Sequence, residues 1–462
     1  MVFPGEIDAG LTSSKLAFRT ALEILLAREC TGNSAALQLM AAAARSTGVD
    51  PRDDHGVSGD SEWSRACALL LAAERKMAAE RGNLDGLALA ALCRSEADVL
   101  SLSRANLDVA QERHPHAITS DRLEAYLRHR TGHGTLRVLE LRHLMGGFGK
   151  ETVFFSTDSD ALRGEFVLRR DQPVELVPGA CHRVRHEYAV IDAVRQRGFP
   201  APDVLWHECD HPMMPGPDFF VMRKSEGATI GTLAGATSVP DPRLNEHLGS
   251  MLARLHGLGT LRELGDLTET IRSDLWGVSG AEAIRTYAAS METMLTDNPH
   301  AASPATLGVW RWLIANVPDN LGRSCLIHGD IGFHNMLMRD GELTCLLDWE
   351  NAQIGHPGMD LGYVYNAAHE SLDWHRVMEA YEAGGGIPLS ERTLLFFRIL
   401  MLARLVTTLN VGPAHLFVGN VDQMRLLNAE VFLRGPALQR LANLMEQYES
   451  AAPAVQRLAC NT

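Results

Sequence analysis

LIHGDIGFHNMLMRDGELTCLLDWENAQIGHPGMDLGY, residues Leu326 to Tyr363, is the stretch whose reading decides the fold. Met336 to Met338 is a short apolar run, Arg339-Asp340-Gly341-Glu342 is turn chemistry, and Leu343 to Leu347 is a second apolar run. Asp-Gly between two such runs is a strong hairpin signal. A hairpin brings its open ends together, so Asn335 on the way in and Asp348 on the way out are expected side by side. Asp330 lies one tight loop upstream of Asn335. Two neighbouring oxygen ligands suit a hard cation such as Mg²⁺, which keeps waters and completes its shell from a phosphate. A separate Asp can then orient or deprotonate an attacking hydroxyl. These are the parts of metal-assisted phosphoryl transfer.

His328-Gly329-Asp330 followed by Asn335 resembles the HGDxxxxN loop of the aminoglycoside phosphotransferase and choline kinase-like family, and Asp348-Trp349-Glu350 resembles its metal-binding DxE segment. The Asp-to-Asn spacing also matches the catalytic loop of protein kinases, with Gly329 in place of Arg. The resemblance implies an α+β, bilobal protein-kinase-like fold with a small β-rich N-lobe and a helical C-lobe. It implies Asp330 as the catalytic base, Asn335 and Asp348 as Mg²⁺ ligands, and His328 as a brace of the loop. ATP or GTP would be the co-substrate and a small-molecule hydroxyl the acceptor. Asp360 reads as a brace that holds the catalytic loop through backbone N–H groups. Glu350 reads either as a contact to a second metal or substrate, or as a polar loop residue. His334 reads as a loop residue facing substrate or solvent. His356 stands where the family has Asp in a G-D-P turn, which puts the hydrogen bonding of that turn in doubt. The combination HGDxxxxNML, LDWExAxxG and DLGY looks closer to the group associated with acyl-CoA dehydrogenase-like proteins than to drug-resistance kinases.

Upstream, the pattern predicts strands over Arg137 to Leu144 and Val153 to Ser156, joined through Gly146, Gly147 and Gly149. A Gly-rich turn lets backbone N–H groups approach phosphates without obstruction by Cβ. Glu165 to Arg170 reads as a further strand. By register with the family, Arg169 takes the position of the phosphate-binding Lys, and Arg170 competes if the strand slips by one residue. Glu187, on a helix predicted over Cys181 to Gln196, would pair with that cation. Phe219 to Lys224 should be the hinge between lobes, with backbone groups near Arg223 and Lys224 holding the adenine.

Residues 1–130 carry helical periodicity over Lys15 to Arg28, Ala35 to Arg45, Glu62 to Arg81 and Leu84 to Gln111, with no catalytic constellation. This all-α accessory domain is expected either to pack on the kinase-like core or to form a homodimer interface. The N-lobe is then expected over 131–227, the C-lobe over 228–440 and a tail over 441–462. A formal charge of −14 argues against nucleic acid or an anionic membrane as partner. No basic and apolar leader is seen at the start, and the longest apolar stretch, Leu394 to Val406, looks too short to span a bilayer. The eight cysteines are scattered without a C-x-x-C pair, and they read as reduced core residues of a cytoplasmic protein. Two rivals remain. One is a catalytically silent nucleotide-binding scaffold whose helical domain recruits a partner; the other is a hydrolase metal site on His328, Asp330 and His334.

Overall fold

Between Val138 and Arg223, segments rich in Val, Leu and Phe build five strands of one antiparallel sheet. They are β1 (Val138–His143), β2 (Lys150–Ser159), β3 (Leu162–Asp171), β4 (Val204–Glu208) and β5 (Phe219–Arg223), in the order β1-β2-β3-β5-β4. The computed structural model describes residues 90, 94, 117–144, 149–172, 183–232, 235–236, 242–258, 278–298, 301, 303–322, 324–417 and 433–451. The helices expected before residue 112 lie outside the described residues apart from Ala90 and Arg94, and so do Gly146 and Gly147.

The period of two along β3 divides its side chains between the faces of the sheet. Phe166 and Leu168 join Val153, Phe155, Phe219 and Val221 in one buried core. Leu123, Tyr126 and Leu127 of helix α1 (Ser120–Thr131) belong to the same core. Thr119 caps α1 by accepting from the Arg122 N–H, and Gly132 ends it at φ +72°. The boundary expected at 130/131 therefore falls inside the last turn of a helix that completes the sheet's core. The change in sequence texture near Leu136 marks the start of the strands, and α1 already belongs to them. On the opposite face, Arg169 points toward helix α2 (Val184–Gln196).

After the short strands β6 (Ala228–Thr229), β7 (Gly231–Thr232) and β8 (Gly235–Ala236) comes helix α3 (Arg243–His256). Leu244, Leu248, Met251, Leu252 and Leu255 give it one buried face at three- and four-residue intervals. The catalytic segment supplies β9 (Cys325–Ile327), β10 (Met336–Arg339), β11 (Glu342–Leu346) and β12 (Gln353–Gly355), followed by helices α6 (Pro357–Ala368) and α7 (Trp374–Ala383). The expected hairpin is formed. Arg339 pairs with Glu342 across Asp340 and Gly341, which have φ of +54° and +81° as a primed two-residue turn requires.

Contacts divide the chain into two units, Met1–Val109 with Ile284–Asp319 and Ser390–Thr462, and Ala110–Ala283 with Asn320–Leu389. Helix α4 (Gly280–Asp297) lies mostly in the first unit, which also holds α5 (Pro304–Ala315), α8 (Glu391–Phe417) and α9 (Gly435–Ser450). There the Trp310 indole donates to Thr407 over 2.8 Å, Trp312 meets Tyr448 edge-on, and Arg94 pairs with Glu446. The expectation from length fails for α8: Glu391–Gly412 is long and apolar enough to cross a membrane by length and composition. Its apolar side chains are instead accounted for by packing, since 72% of that window is buried within the protein.

Candidate active site

The loop from His328 to Asn335 is held from behind by one carboxylate. Asp360, fully buried in the first turn of α6, accepts the backbone N–H groups of His328 at 2.9 Å and Gly329 at 2.7 Å. This is the bracing role expected from sequence. His256 of α3 lies 3.2 Å from the same carboxylate, and its other ring nitrogen is 3.0 Å from the Tyr381 hydroxyl. Gly329 adopts φ +78°, and a Cβ there would stand 2.6 Å from the Asn351 carbonyl oxygen. No side chain fits this approach. The buried His328 ring bridges the loop to the hairpin. Its Nε2 meets the Leu347 carbonyl at 3.0 Å, while its Nδ1 accepts from the Asp330 N–H at 3.2 Å. Those partners assign the proton to Nε2, and burial keeps the ring neutral by lowering its pKa.

The His356 doubt resolves in favour of an ordinary cap. Its Nδ1 accepts from the Gly358 N–H at 3.0 Å, at the start of α6. An imidazole can do this only when neutral. Burial, and then the neighbouring His256, push its pKa down to about 3.

Asn335 donates its side-chain amide to the Asp330 carbonyl at 2.9 Å, and its own carbonyl accepts from Leu347 N–H at 2.8 Å. That second bond closes the open end of the hairpin, so Asp348 follows directly beside Asn335. Asp348 sits in the left-handed region at φ +65°, which Asp tolerates better than most residues. One carboxylate oxygen of Asp330 is buried without a hydrogen bond. The His334 imidazole is 3.7 Å from it, too far for a hydrogen bond, so its influence is electrostatic. Burial would raise the Asp330 pKa, but His334, Tyr363 and His328 together hold it below the usual carboxylate range.

Across from these groups, Arg169 reaches Asp348 at 2.7 Å, Glu350 at 3.4 Å and Glu187 at 3.4 Å. Arg170, on the other face of β3, pairs with Glu151. Strand alternation thus puts Arg169 in the cluster and leaves Arg170 outside it. Lys150 adds a second cation, 3.4 Å from Glu350 and 3.6 Å from Asp171. Asp171 also accepts the Val184 N–H at the head of α2. With Arg183, 3.7 Å from Asp171, three cations thus face four carboxylates, those of Asp171, Glu187, Asp348 and Glu350. Burial raises the pKa of Glu187 despite Arg169, and burial together with Asp348 raises that of Glu350. The surplus acid, with the Asn335 amide beside Asp348, makes this a set of oxygen donors that fits a divalent cation.

Gly149 stands against the same cluster, since a Cβ there would lie 2.5 Å from a Glu350 carboxylate oxygen. Of the backbone groups at the expected hinge, two N–H groups already have partners. The Arg223 N–H donates to the Asp203 carbonyl at 2.8 Å and the Lys224 N–H to the Glu165 carbonyl at 3.0 Å. Both amides are engaged within the sheet, so neither can reach a base without giving up a bond. Sequence reading passed over Lys150, Asp171 and Tyr363. Lys150 directly follows Gly149, and the pairing of Lys150 with Asp171 across β2 and β3 brings it to the site.

A model of the Phosphotransferase enzyme family matches residues 140–396, more than half of the 462. The chain belongs to that family. Among curated proteins, this phosphotransferase-family chain is similar to acyl-CoA dehydrogenase family member 11 of Rattus norvegicus, 29% identical over 290 residues. The Homo sapiens protein of that name is 28% identical over 302 residues. These alignments cover 60% and 63% of the chain but only 34% and 36% of the relatives, so the chain spans about a third of their length. A solved structure from Ralstonia eutropha, described as a candidate aminoglycoside phosphotransferase, superposes with a TM-score of 0.51 at 18% identity. It covers 71% of this chain and 98% of that one. The kinase-like fold expected from the sequence is therefore present.

Proposed function

We propose that this phosphotransferase-family protein moves the terminal phosphoryl group of ATP to a hydroxyl of a small molecule. The observation that carries the proposal is the unbonded, buried oxygen of Asp330 next to a hairpin whose closed end sets Asn335 beside Asp348. An ionised carboxylate with an open lone pair is what an incoming hydroxyl requires for alignment and proton removal. Asn335 and Asp348 would hold Mg²⁺, which, when bound, would neutralise charge on the nucleotide phosphates. Arg169 would contact the phosphates, with Glu187 behind it to fix its direction. Lys150 offers a second positive charge from the end of the Gly-rich turn. An Arg gives bidentate recognition where a Lys gives a point charge.

The acceptor is proposed as a hydroxylated acid, its thioester or a related metabolite, in keeping with the similarity to acyl-CoA dehydrogenase family members; an aminoglycoside is the alternative hydroxyl donor. The test is an acceptor screen that follows consumption of ATP and of GTP, with product mass recorded. A gain of one phosphate on a hydroxyl compound, dependent on Asp330, is the expected result. Tight nucleotide binding with no transfer to any hydroxylated acid, thioester or aminoglycoside would overturn the catalytic reading in favour of a scaffold.

A further inference from the structure

At the end of β4 and the start of β5, beside the Asp171 end of the cluster just described, three side chains of metal-binding type converge. Donor atoms of His207, Cys209 and Asp218 all lie within 4.8 Å of one another. Cys209 Sγ is 3.7 Å from Nε2 and 3.8 Å from Nδ1 of His207. For Zn–S and Zn–N bond lengths, tetrahedral geometry puts such donors about 3.5 Å apart. The sulfur–nitrogen spacing is thus close to what a tetrahedral ion imposes, and a rotation of the imidazole to aim one nitrogen at the ion, with a movement of the Asp218 carboxylate, completes a face. Backbone order supports that position. Asp210, at φ +46°, directs its N–H to Asp218 Oδ1 at 3.4 Å, and the Asp218 carbonyl accepts from the Asp171 N–H at 3.0 Å.

We propose that His207, Cys209 and Asp218 form a binding site for a zinc-like, borderline-soft divalent ion, with the fourth position open to solvent. One thiolate, one imidazole and one carboxylate select such an ion over Mg²⁺, which prefers oxygen alone. The ion would clip the β4–β5 turn, joining two strands at the margin of the sheet. Cys209 is exposed, so entry needs no opening of the fold. Burial and the neighbouring Asp218 raise the thiol pKa, so the metal-free protein carries Cys209 as a thiol and binding releases its proton to solvent. The sequence did not announce this site. Cys209 lies two positions after His207 and Asp218 nine further on, a spacing outside the common zinc patterns.

The test uses the full-length, metal-free protein titrated with Co²⁺. A thiolate-to-cobalt absorption band should saturate at one equivalent, disappear on addition of Zn²⁺, and be absent from Cys209→Ser. His207→Ala should weaken binding more than about tenfold, a loss that removal of even an outer partner of a metal site can cause. Zn²⁺ should raise the melting temperature of the natural chain and leave that of Cys209→Ser unchanged, because a ligand stabilises only the state that binds it. The absence of a band at stoichiometric Co²⁺, or a band that survives Cys209→Ser, would overturn the assignment.

Discussion

At the scale of single residues, Asp330 and Asp348 differ in their surroundings although both are carboxylates in one site. Asp330 has an oxygen without a hydrogen bond, whereas Asp348 already meets Arg169 at 2.7 Å. Asp330→Asn should lower kcat by about 10²- to 10⁴-fold, the range typical of general-base catalysis, and leave nucleotide binding almost unchanged. Single-turnover assays beside nucleotide titrations measure both quantities; retention of most of kcat would remove Asp330 from the role of base. Asp348→Ala should raise the Mg²⁺ requirement more than Asn335→Ala does, because a carboxylate gives the cation a full charge and an amide only a dipole. Activity measured against Mg²⁺ concentration separates them, and an unmoved requirement in both variants would sink the shared metal site. The residues legible in the sequence were those fixed by local spacing, from His328 to Asp360. Lys150 and Asp171 were not, because their meeting depends on strand register across β2 and β3.

At the scale of elements, the hairpin was legible because Asp340-Gly341 demands positive φ at both positions, and only one turn class provides it. The choice between Arg169 and Arg170 was not, since a one-residue slip exchanges the faces of a strand. Helix α6 supplies a test of its histidine cap. The folded pKa of His356 is about 3, well below the unfolded value of about 6.5. Between those values the unfolded chain binds a proton that the native cap cannot. The stability contributed is therefore complete above about pH 6.5 and is lost as pH falls toward 3. His328, also buried with a lowered pKa, acts in the same direction. His356→Asp keeps a capping oxygen and removes one of these protons. Its denaturation free energy should fall less steeply between about pH 6.5 and 4.5, by about 1.4 kcal/mol per pH unit at most. The smaller side chain should reduce stability at neutral pH, so the slope is the quantity to compare. An unchanged slope in urea titrations across that range would show that His356 does not titrate as a buried cap.

At the scale of the whole molecule, the place where the kinase-like part begins is set by packing and not by the change in sequence texture. Texture put that start at residue 131, but α1 spans Ser120–Thr131 and buries Leu123, Tyr126 and Leu127 in the core of the five-stranded sheet. The Tyr126 hydroxyl also accepts from the Trp206 indole at 2.7 Å and lies 2.9 Å from Glu208. A periodic segment of twelve residues looks the same in sequence whether it belongs to a helical domain or caps a sheet. Only its burial tells them apart. A chain beginning at residue 117 should therefore keep nucleotide affinity within a few-fold of the full chain. One beginning at residue 132 should melt much lower, since each large buried side chain removed costs about 2–5 kcal/mol, a large share of a domain's total stability. The two truncations, compared by thermal melting and nucleotide titration, decide the matter. Equal stability of both would mean that α1 is an ornament of the sheet. Loss of nucleotide binding by a folded chain beginning at residue 117 would mean that residues before it complete the site.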